Sequence, residues 1–346
     1  MTKLLHTFDH AELGAYPAVQ LPTFDRLDTI ERFSGGQSNP TYKVTSGDRA
    51  YVLRAKPMGN LLPSAHQVAR EFRVMQALAD TPLPVPAMHH LSDDDSPLGT
   101  QFYVMEMLDG NVHWDPALPD IDQSTRGGMC RAMAETLATL HMVDPDAVGL
   151  GDYGPPGNYF DRQVGRWTKQ YRAAETDKIA DLDWVIDWLG ANIPTDTDKA
   201  RIVHGDYRMD NMMFAPDNSA VIGVLDWELS TLGHPMADLA YQCMCLRLPN
   251  QGLVKGLAGM DRAALGIPSE EDYVAIYCAK RGVTPPEAWG FFIAFAYFRL
   301  AAILQGVIKR AIDGNASNPR GIDEMKAAVP MLGWAAKDAA RRNGQA

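Results

Sequence analysis

Cysteine is scarce in this chain: the 346 residues include four, Cys130, Cys243, Cys245 and Cys278. The spacing in Cys243-Met244-Cys245 is wrong for a zinc pair, and no set of His or Cys partners sits near it in the sequence. What remains is four buried free thiols in a reducing cytosol. Positive charge is in deficit, with 32 Lys and Arg against 43 Asp and Glu and a net charge of −11. That balance disfavours nucleic acid and anionic membrane as partners. Residues 1–10 lack an apolar signal core. The longest apolar stretch, Ala288 to Phe298, is too short to span a bilayer and is followed by Arg299. These absences predict a cytoplasmic protein. Fixed-period repeats and low-complexity segments are also missing. What is present is ordinary for a globular protein: a hydrophobic fraction of 46%, a charged fraction of 22%, and length for one large or two modest domains.

Residues 1–27 read as an irregular cap or a short helix. From Ile30 to Val44 the pattern is strand, glycine loop, strand: Glu31-Arg32-Phe33, then Ser34-Gly35-Gly36-Gln37-Ser38-Asn39, then Thr41-Tyr42-Lys43-Val44. Ala50–Arg54 follows the turn Ser46-Gly47-Asp48 as a third strand, and Phe102–Met107 is another, running into Asp109-Gly110. Between these strands Ser64 to Ala79 is predicted helical. Val68, Phe72, Met75 and Leu78 make its apolar face, Ser64 is its N-cap, and Pro82–Pro86 ends it. Beyond Gly110 the periodicity is helical over Arg126–Val143, Tyr159–Ala174, Leu182–Ile193, Ala237–Leu246, Glu270–Arg281, Glu287–Ile312 and Asp323–Ala340. The predicted organisation is a cap at 1–27, a β-rich small lobe at 28–110 and an α-rich large lobe at 111–346.

One segment carries chemistry. His204-Gly205-Asp206-Tyr207-Arg208-Met209-Asp210-Asn211 sets an Asn five residues after an Asp, and Asp226-Trp227-Glu228 supplies another carboxylate just beyond. Kinase-type phosphoryl transfer needs that set. One carboxylate receives the proton of the acceptor hydroxyl, while an amide oxygen and a second carboxylate hold Mg²⁺ against the phosphates of ATP. The flanking pattern agrees. Ala200–Val203 leads in as a short strand. Met212-Met213-Phe214 and Val221–Leu225 enclose the turn formers Ala215–Ser219, giving a hairpin whose outer ends bring Asn211 and Asp226 together. A polar loop with turn-capping side chains explains one such residue, but not three in this order.

These motifs resemble the aminoglycoside phosphotransferase family over nearly the whole chain after residue 27. Within that family the chain resembles in particular the kinase-like domains fused to, or encoded near, acyl-CoA dehydrogenases. The stretches carrying this likeness are Phe33–Tyr42, Tyr51–Arg54, Leu61–His66, Asp226–Gly233 and Tyr297–Gly306. The resemblance implies an α+β, two-lobed protein-kinase-like fold: a small antiparallel-sheet N-lobe with one helix, a larger mostly helical C-lobe, and ATP between them. It implies an ATP- and Mg²⁺-dependent kinase acting on a small-molecule hydroxyl acceptor, with a hydroxylated acyl-CoA suggested by the closer likeness and a functional link to an acyl-CoA dehydrogenase. Phosphorylation of an aminoglycoside and nucleotide binding without turnover are the alternatives.

Residue by residue, the resemblance makes Asp206 the catalytic group and Asn211 and Asp226 the Mg²⁺ ligands. His204 braces the loop, since the template gives proton acceptance to the Asp. Ser34, Gly35, Gly36 and Ser38 would cradle phosphates through backbone N–H groups and hydroxyls, although the full G-x-G-x-x-G is missing. Arg54 stands where protein kinases carry a strand lysine. Lys56 competes for that role, because alternation puts both on one face. Glu71 is the helix partner of that basic residue, and Glu106 and Met107 form the adenine hinge. Asp226-Trp227-Glu228 replaces D-F-G, which argues against a protein-kinase-type flip. Asp238 braces the catalytic loop or caps its helix. Arg299 lies amid apolar residues and needs a partner, either an internal acidic residue or an anionic group of the substrate. Trp114, Trp167, Trp184, Trp188, Tyr159 and Tyr171 either line an acceptor pocket or belong to the core.

Overall fold

Alternation of β-branched and aromatic residues builds an antiparallel sheet of five strands in the order β1-β2-β3-β5-β4. The strands are β1 (Thr29–Arg32), β2 (Thr41–Ser46), β3 (Arg49–Ala55), β4 (Met88–Leu91) and β5 (Phe102–Glu106). Tyr51, Leu53 and Ala55 of β3 join Phe24, Tyr42, Phe102 and Val104 in a buried cluster on one face. The alternate residues of β3 and β5 include Arg54 and Tyr103, which are register partners. α1 (Val68–Leu78) packs against this sheet with Val68, Phe72, Met75 and Leu78 buried as the spacing predicted. Glu71 falls one turn after Val68 and is buried on the same side of the helix. β4 was not expected: Met-His-His-Leu is a short edge strand, interrupted by an irregularity between Met88 and His90.

The computed structural model describes residues 24–33, 39–57, 67–93, 96, 98–155, 157–195, 199–252, 254–314 and 321–342. The glycine loop with Ser34, Gly35, Gly36 and Ser38, the Ser64 cap, the Leu61–His66 stretch and all but the last four residues of the expected cap lie outside the described residues.

The chain divides into two compact units. The first comprises Met1–Asn111, Val148–Leu150 and Asn211–Ser230, and the second Val112–Ala147, Gly151–Asp210 and Thr231–Ala346. The first unit therefore holds both the five-stranded sheet and the hairpin of β7 (Met212–Phe214) and β8 (Val221–Val224). Asn111 and Phe214 exchange both backbone hydrogen bonds at 2.8 Å, which ties the hairpin to the segment that follows the sheet. Gly110 permits that approach, since a Cβ there would lie 2.3 Å from the Phe214 carbonyl oxygen.

The second unit is helical apart from a two-stranded ribbon of β6 (Arg201–Val203) and β9 (Thr231–Gly233), the latter not anticipated. Its helices are α2 (Gln123–Met142), α3 (Tyr159–Ala174), α4 (Ala180–Ala191), α5 (Met236–Leu246), the unforeseen single turn α6 (Arg262–Leu265), α7 (Glu270–Arg281), α8 (Trp289–Ile312) and α9 (Ile322–Arg341). Asp122, Asn158 and Ser269 cap α2, α3 and α7 by accepting backbone N–H bonds. α8 packs against α3, α4, α5 and α9. It runs 24 residues, straight through Arg299, so the apolar stretch ending at Phe298 understated it. By length and composition it could cross a membrane, yet 78% of its most apolar window is buried inside the protein.

All four cysteines are free and buried. Burial pushes the Cys130 and Cys245 thiols up to about 12, and raises Cys243 and Cys278 as well. Thiolates are the reactive form. The folded protein is therefore expected to react with Ellman's reagent far more slowly than a free thiol, and to yield all four thiols after denaturation. Rapid reaction of any of them in the native state would contradict this packing.

Candidate active site

In the first unit the sequence-predicted residues converge on Arg54. Its Nε lies 3.0 Å from Glu71 Oε2, close but not aligned for a hydrogen bond, and its Nη2 donates to Asp226 Oδ1 at 2.7 Å. Glu228 Oε2 is 4.0 Å from the same Nη2. Glu71 is 1% exposed and also accepts from Asn39 Nδ2 at 2.7 Å and from the Tyr103 hydroxyl at 3.1 Å. Burial pushes the Glu71 carboxyl up to about 7, with Arg54 pulling it down and Asp226 and Glu228 pushing it further up. For Arg54, burial works against the charge, but Glu71 and the other acidic neighbours outweigh it and hold its pKa above the ordinary arginine value. Among the described residues Lys56 makes no ion pair, so Arg54 is the cation that the acidic groups engage.

Asp226 has φ 62° and ψ 66°, the left-handed region, which Asp tolerates better than most residues. Its neighbours hold it there. Trp227 is fully buried, its indole N–H donates to Val224 O at 2.9 Å, and its carbonyl accepts from Ser230 Oγ at 2.6 Å. Leu225 N–H donates to Asn211 O at 2.8 Å, so Asn211 and Asp226 stand together at the open end of the hairpin, opposite its turn, as its register requires. Among the described residues no group of three or more His, Cys, Asp and Glu could hold a metal. The fit to Mg²⁺ is one of donor chemistry: Asn211 and Asp226 supply hard oxygens, and Mg²⁺ is commonly held by one or two carboxylates together with substrate phosphates.

Of the residues expected to form the hinge, Glu106 ends β5, where it pairs with Tyr51, and Met107 follows it. The Glu106 N–H is already given to Ala87 O at 2.8 Å, and its Oε2 accepts the Ala87 N–H at 3.0 Å. Of the two backbone N–H groups expected to face an adenine edge, that of Glu106 is thus occupied, and that of Met107 has no backbone partner among the described residues.

The second unit holds Asp206, on a loop fixed from several sides. Asp238, in the first turn of α5, accepts the N–H of His204 at 2.6 Å and of Gly205 at 2.8 Å. It braces the loop rather than capping the helix. His141 Nε2 lies 3.3 Å from the same carboxylate, and the Tyr277 hydroxyl lies 2.6 Å from His141 Nδ1. Burial works to raise the Asp238 carboxyl, but His141, His204 and the Gly205 N–H outweigh it and keep it below the ordinary aspartate value. Arg208 stands between two carboxylates, with Nε 3.2 Å from Asp206 Oδ1, again poorly aligned, and Nη2 2.9 Å from Asp210 Oδ2. Arg299 is buried, donates from Nη2 to Gly205 O at 2.7 Å, and lies over the rings of Trp167 and Tyr241. The partner sought for it is thus a loop carbonyl and two aromatic faces. Of the remaining aromatics, Trp184 stacks on Trp188, Tyr159 and Tyr171 are buried, and Trp114 is exposed.

Sequence reasoning passed over Arg208, Asp210, His141 and Tyr277. The first two had a signal, alternating charge within the catalytic segment. The other two come from separate helices and had none.

The profile of the phosphotransferase enzyme family matches residues 29–272. The chain belongs to this family. It is 46% identical over 306 residues to mouse acyl-CoA dehydrogenase family member 10, covering 88% of the chain and 28% of that protein. The chain thus spans less than a third of that relative. A crystal structure from Ralstonia eutropha, provisionally described as an aminoglycoside phosphotransferase, is 44% identical with a TM-score of 0.87, covering 97% of this chain and 99% of that one. A thermostable aminoglycoside phosphotransferase in ternary complex with AMP-PNP and hygromycin B is 15% identical with a TM-score of 0.60, covering 95% and 98% of the two chains. That likeness bears on fold alone, and the fold is the two-lobed, protein-kinase-like α+β architecture.

Proposed function

We propose that the protein is an ATP- and Mg²⁺-dependent kinase that phosphorylates the hydroxyl of a hydroxyacyl-CoA or similar metabolite. The observation that carries the kinase reading is the convergence of Arg54, Glu71 and Asp226 at the open end of the hairpin, which also presents Asn211. Arg54 meets Glu71 through Nε and Asp226 through Nη2, which leaves Nη1 for a phosphate oxygen. Asn211 and Asp226 would hold Mg²⁺, which when bound neutralises charge on the phosphates. Asp206, on a loop held by Asp238, His204 and Arg299, would align the acceptor oxygen and take its proton. Catalysis of this kind is mostly orientation and charge neutralisation. The acyl-CoA class rests on kinship with proteins named as acyl-CoA dehydrogenases.

The test is ADP release from ATP and Mg²⁺ in the presence of separate pools of hydroxyacyl-CoAs and aminoglycosides, with Asp206→Ala as the control. Release with the hydroxyacyl-CoA pool is expected. Release only with aminoglycosides would transfer the reading to antibiotic phosphorylation. Release no faster than the control with either pool would leave a nucleotide-binding module.

A further inference from the structure

Resting on the assignment of Asp206 above, we propose that Arg299 is a positioning residue that locks the peptide plane leading into Asp206. The peptide unit between Gly205 and Asp206 is held at both ends. Arg299 Nη2 donates to its carbonyl oxygen at 2.7 Å, and its N–H donates to His204 Nδ1 at 3.2 Å. That second bond requires Nδ1 to be the unprotonated ring nitrogen.

A restraint is needed at this point. Gly205 has φ 84°, and a residue without Cβ tolerates wide changes in backbone torsion. Rotation of the plane that follows it would turn the N–H away from His204 and swing the carbonyl with it. The φ of Asp206 would change, and the direction of its carboxylate with it. The bond from the Gly205 N–H to Asp238 belongs to the preceding peptide unit, so it does not resist this rotation. Resistance falls on Arg299, with His204 at the opposite end.

Arg299 is equipped for the task. It comes from α8, 94 residues away in sequence, and is 7% exposed. Among the described residues it has no carboxylate partner that would draw Nη2 from the carbonyl. Its charge lies instead 5.6 Å from the Trp167 ring centroid and 5.3 Å from that of Tyr241. Aromatic faces attract a guanidinium without being carboxylate acceptors, so they hold the cation while Nη2 stays on the loop.

The test compares Arg299→Met, which removes the donor, and Arg299→Lys, which keeps a charge and a donor, with wild type in the full chain. Three measurements are made: amide exchange of Asp206, binding of AMP-PNP with Mg²⁺, and steady-state kinetics with a hydroxyacyl-CoA as the acceptor probe. Arg299→Met is expected to speed exchange at the loop and lower kcat by about 10²-fold, with both KM values and nucleotide binding close to wild type. Arg299→Lys should restore part of kcat. In an Asp206→Asn background Arg299→Met should add little, because both changes act through one group. A wild-type kcat, a loss confined to KM, equal losses in both backgrounds, or no rescue by lysine would each overturn the proposal. Exchange needs no acceptor. Unchanged Asp206 exchange refutes the lock whatever the enzyme does, whereas faster exchange in a protein with no kinase activity upholds the lock and removes the kinase reading. If Arg299→Met does not fold, Arg299→Lys decides: intermediate exchange and kcat support the proposal, and wild-type values for both overturn it.

Discussion

Asp206→Asn is expected to lower turnover by about 10²–10⁴-fold while binding of AMP-PNP with Mg²⁺ survives. The substitution preserves shape, and the loop is fixed by contacts to its backbone. Asp238 holds the N–H groups of His204 and Gly205, and Arg299 holds the Gly205 carbonyl; none of these bonds uses the Asp206 side chain. Arg208 loses one carboxylate but keeps Asp210 at 2.9 Å, so no buried cation is stranded. What disappears is the carboxylate proposed to take the acceptor's proton. The residues assigned to nucleotide and metal, Arg54, Glu71, Asn211 and Asp226, belong to the other compact unit and are untouched. Rates of ADP release with an active acceptor, set beside calorimetric titration with AMP-PNP, check both halves of the expectation. Undiminished turnover would remove Asp206 from its role. Loss of nucleotide binding as well would mean that the fall in rate does not report proton acceptance.

Much of this site was legible because its signals were local. The apolar face Val68, Phe72, Met75, Leu78 set the facing of α1, and Glu71, three residues after Val68, is buried with it. The hairpin could be read from two apolar runs and a turn, and antiparallel register then brought Asn211 and Asp226 together. Other parts depend on contacts that no short window contains. Arg299 could be seen to need a partner, but a carbonyl 94 residues away is invisible to periodicity. His141 reaches Asp238 from α2 and Tyr277 reaches His141 from α7, each looking like one more residue on a helical face. β4 and β9 are short strands of four and three residues that exist because a neighbour offers free backbone groups. Glu106 was assigned to a hinge whose side chain would say little, yet that side chain accepts the Ala87 N–H and helps fix the edge strand's approach.

Above about pH 7, where its carboxyl is ionised, Glu71→Ala is expected to destabilise the protein by about 3–5 kcal/mol, the range for removing one partner of a buried charged pair. Three donors face this carboxylate: Arg54 Nε at 3.0 Å, Asn39 Nδ2 at 2.7 Å and the Tyr103 hydroxyl at 3.1 Å. Truncation leaves them without it in a site that is 1% exposed. Glu71→Gln keeps the volume and a carbonyl acceptor, and should cost less. It also isolates the charge. The carboxyl titrates near 4.5 when unperturbed and is pushed up to about 7 in the fold, burial being the largest cause. The folded state therefore retains a proton that the unfolded chain has released. The stability contributed by this group is complete below pH 4.5 and is lost as the pH rises to about 7. A glutamine cannot titrate, so in the absence of nucleotide the stability of Glu71→Gln relative to wild type should improve across that window. Urea unfolding at its two ends measures the change. A constant difference would mean that Arg54, Asn39 and Tyr103 together offset burial, so that the folded Glu71 carboxyl is not held above its unfolded pKa and is ionised across most of the window.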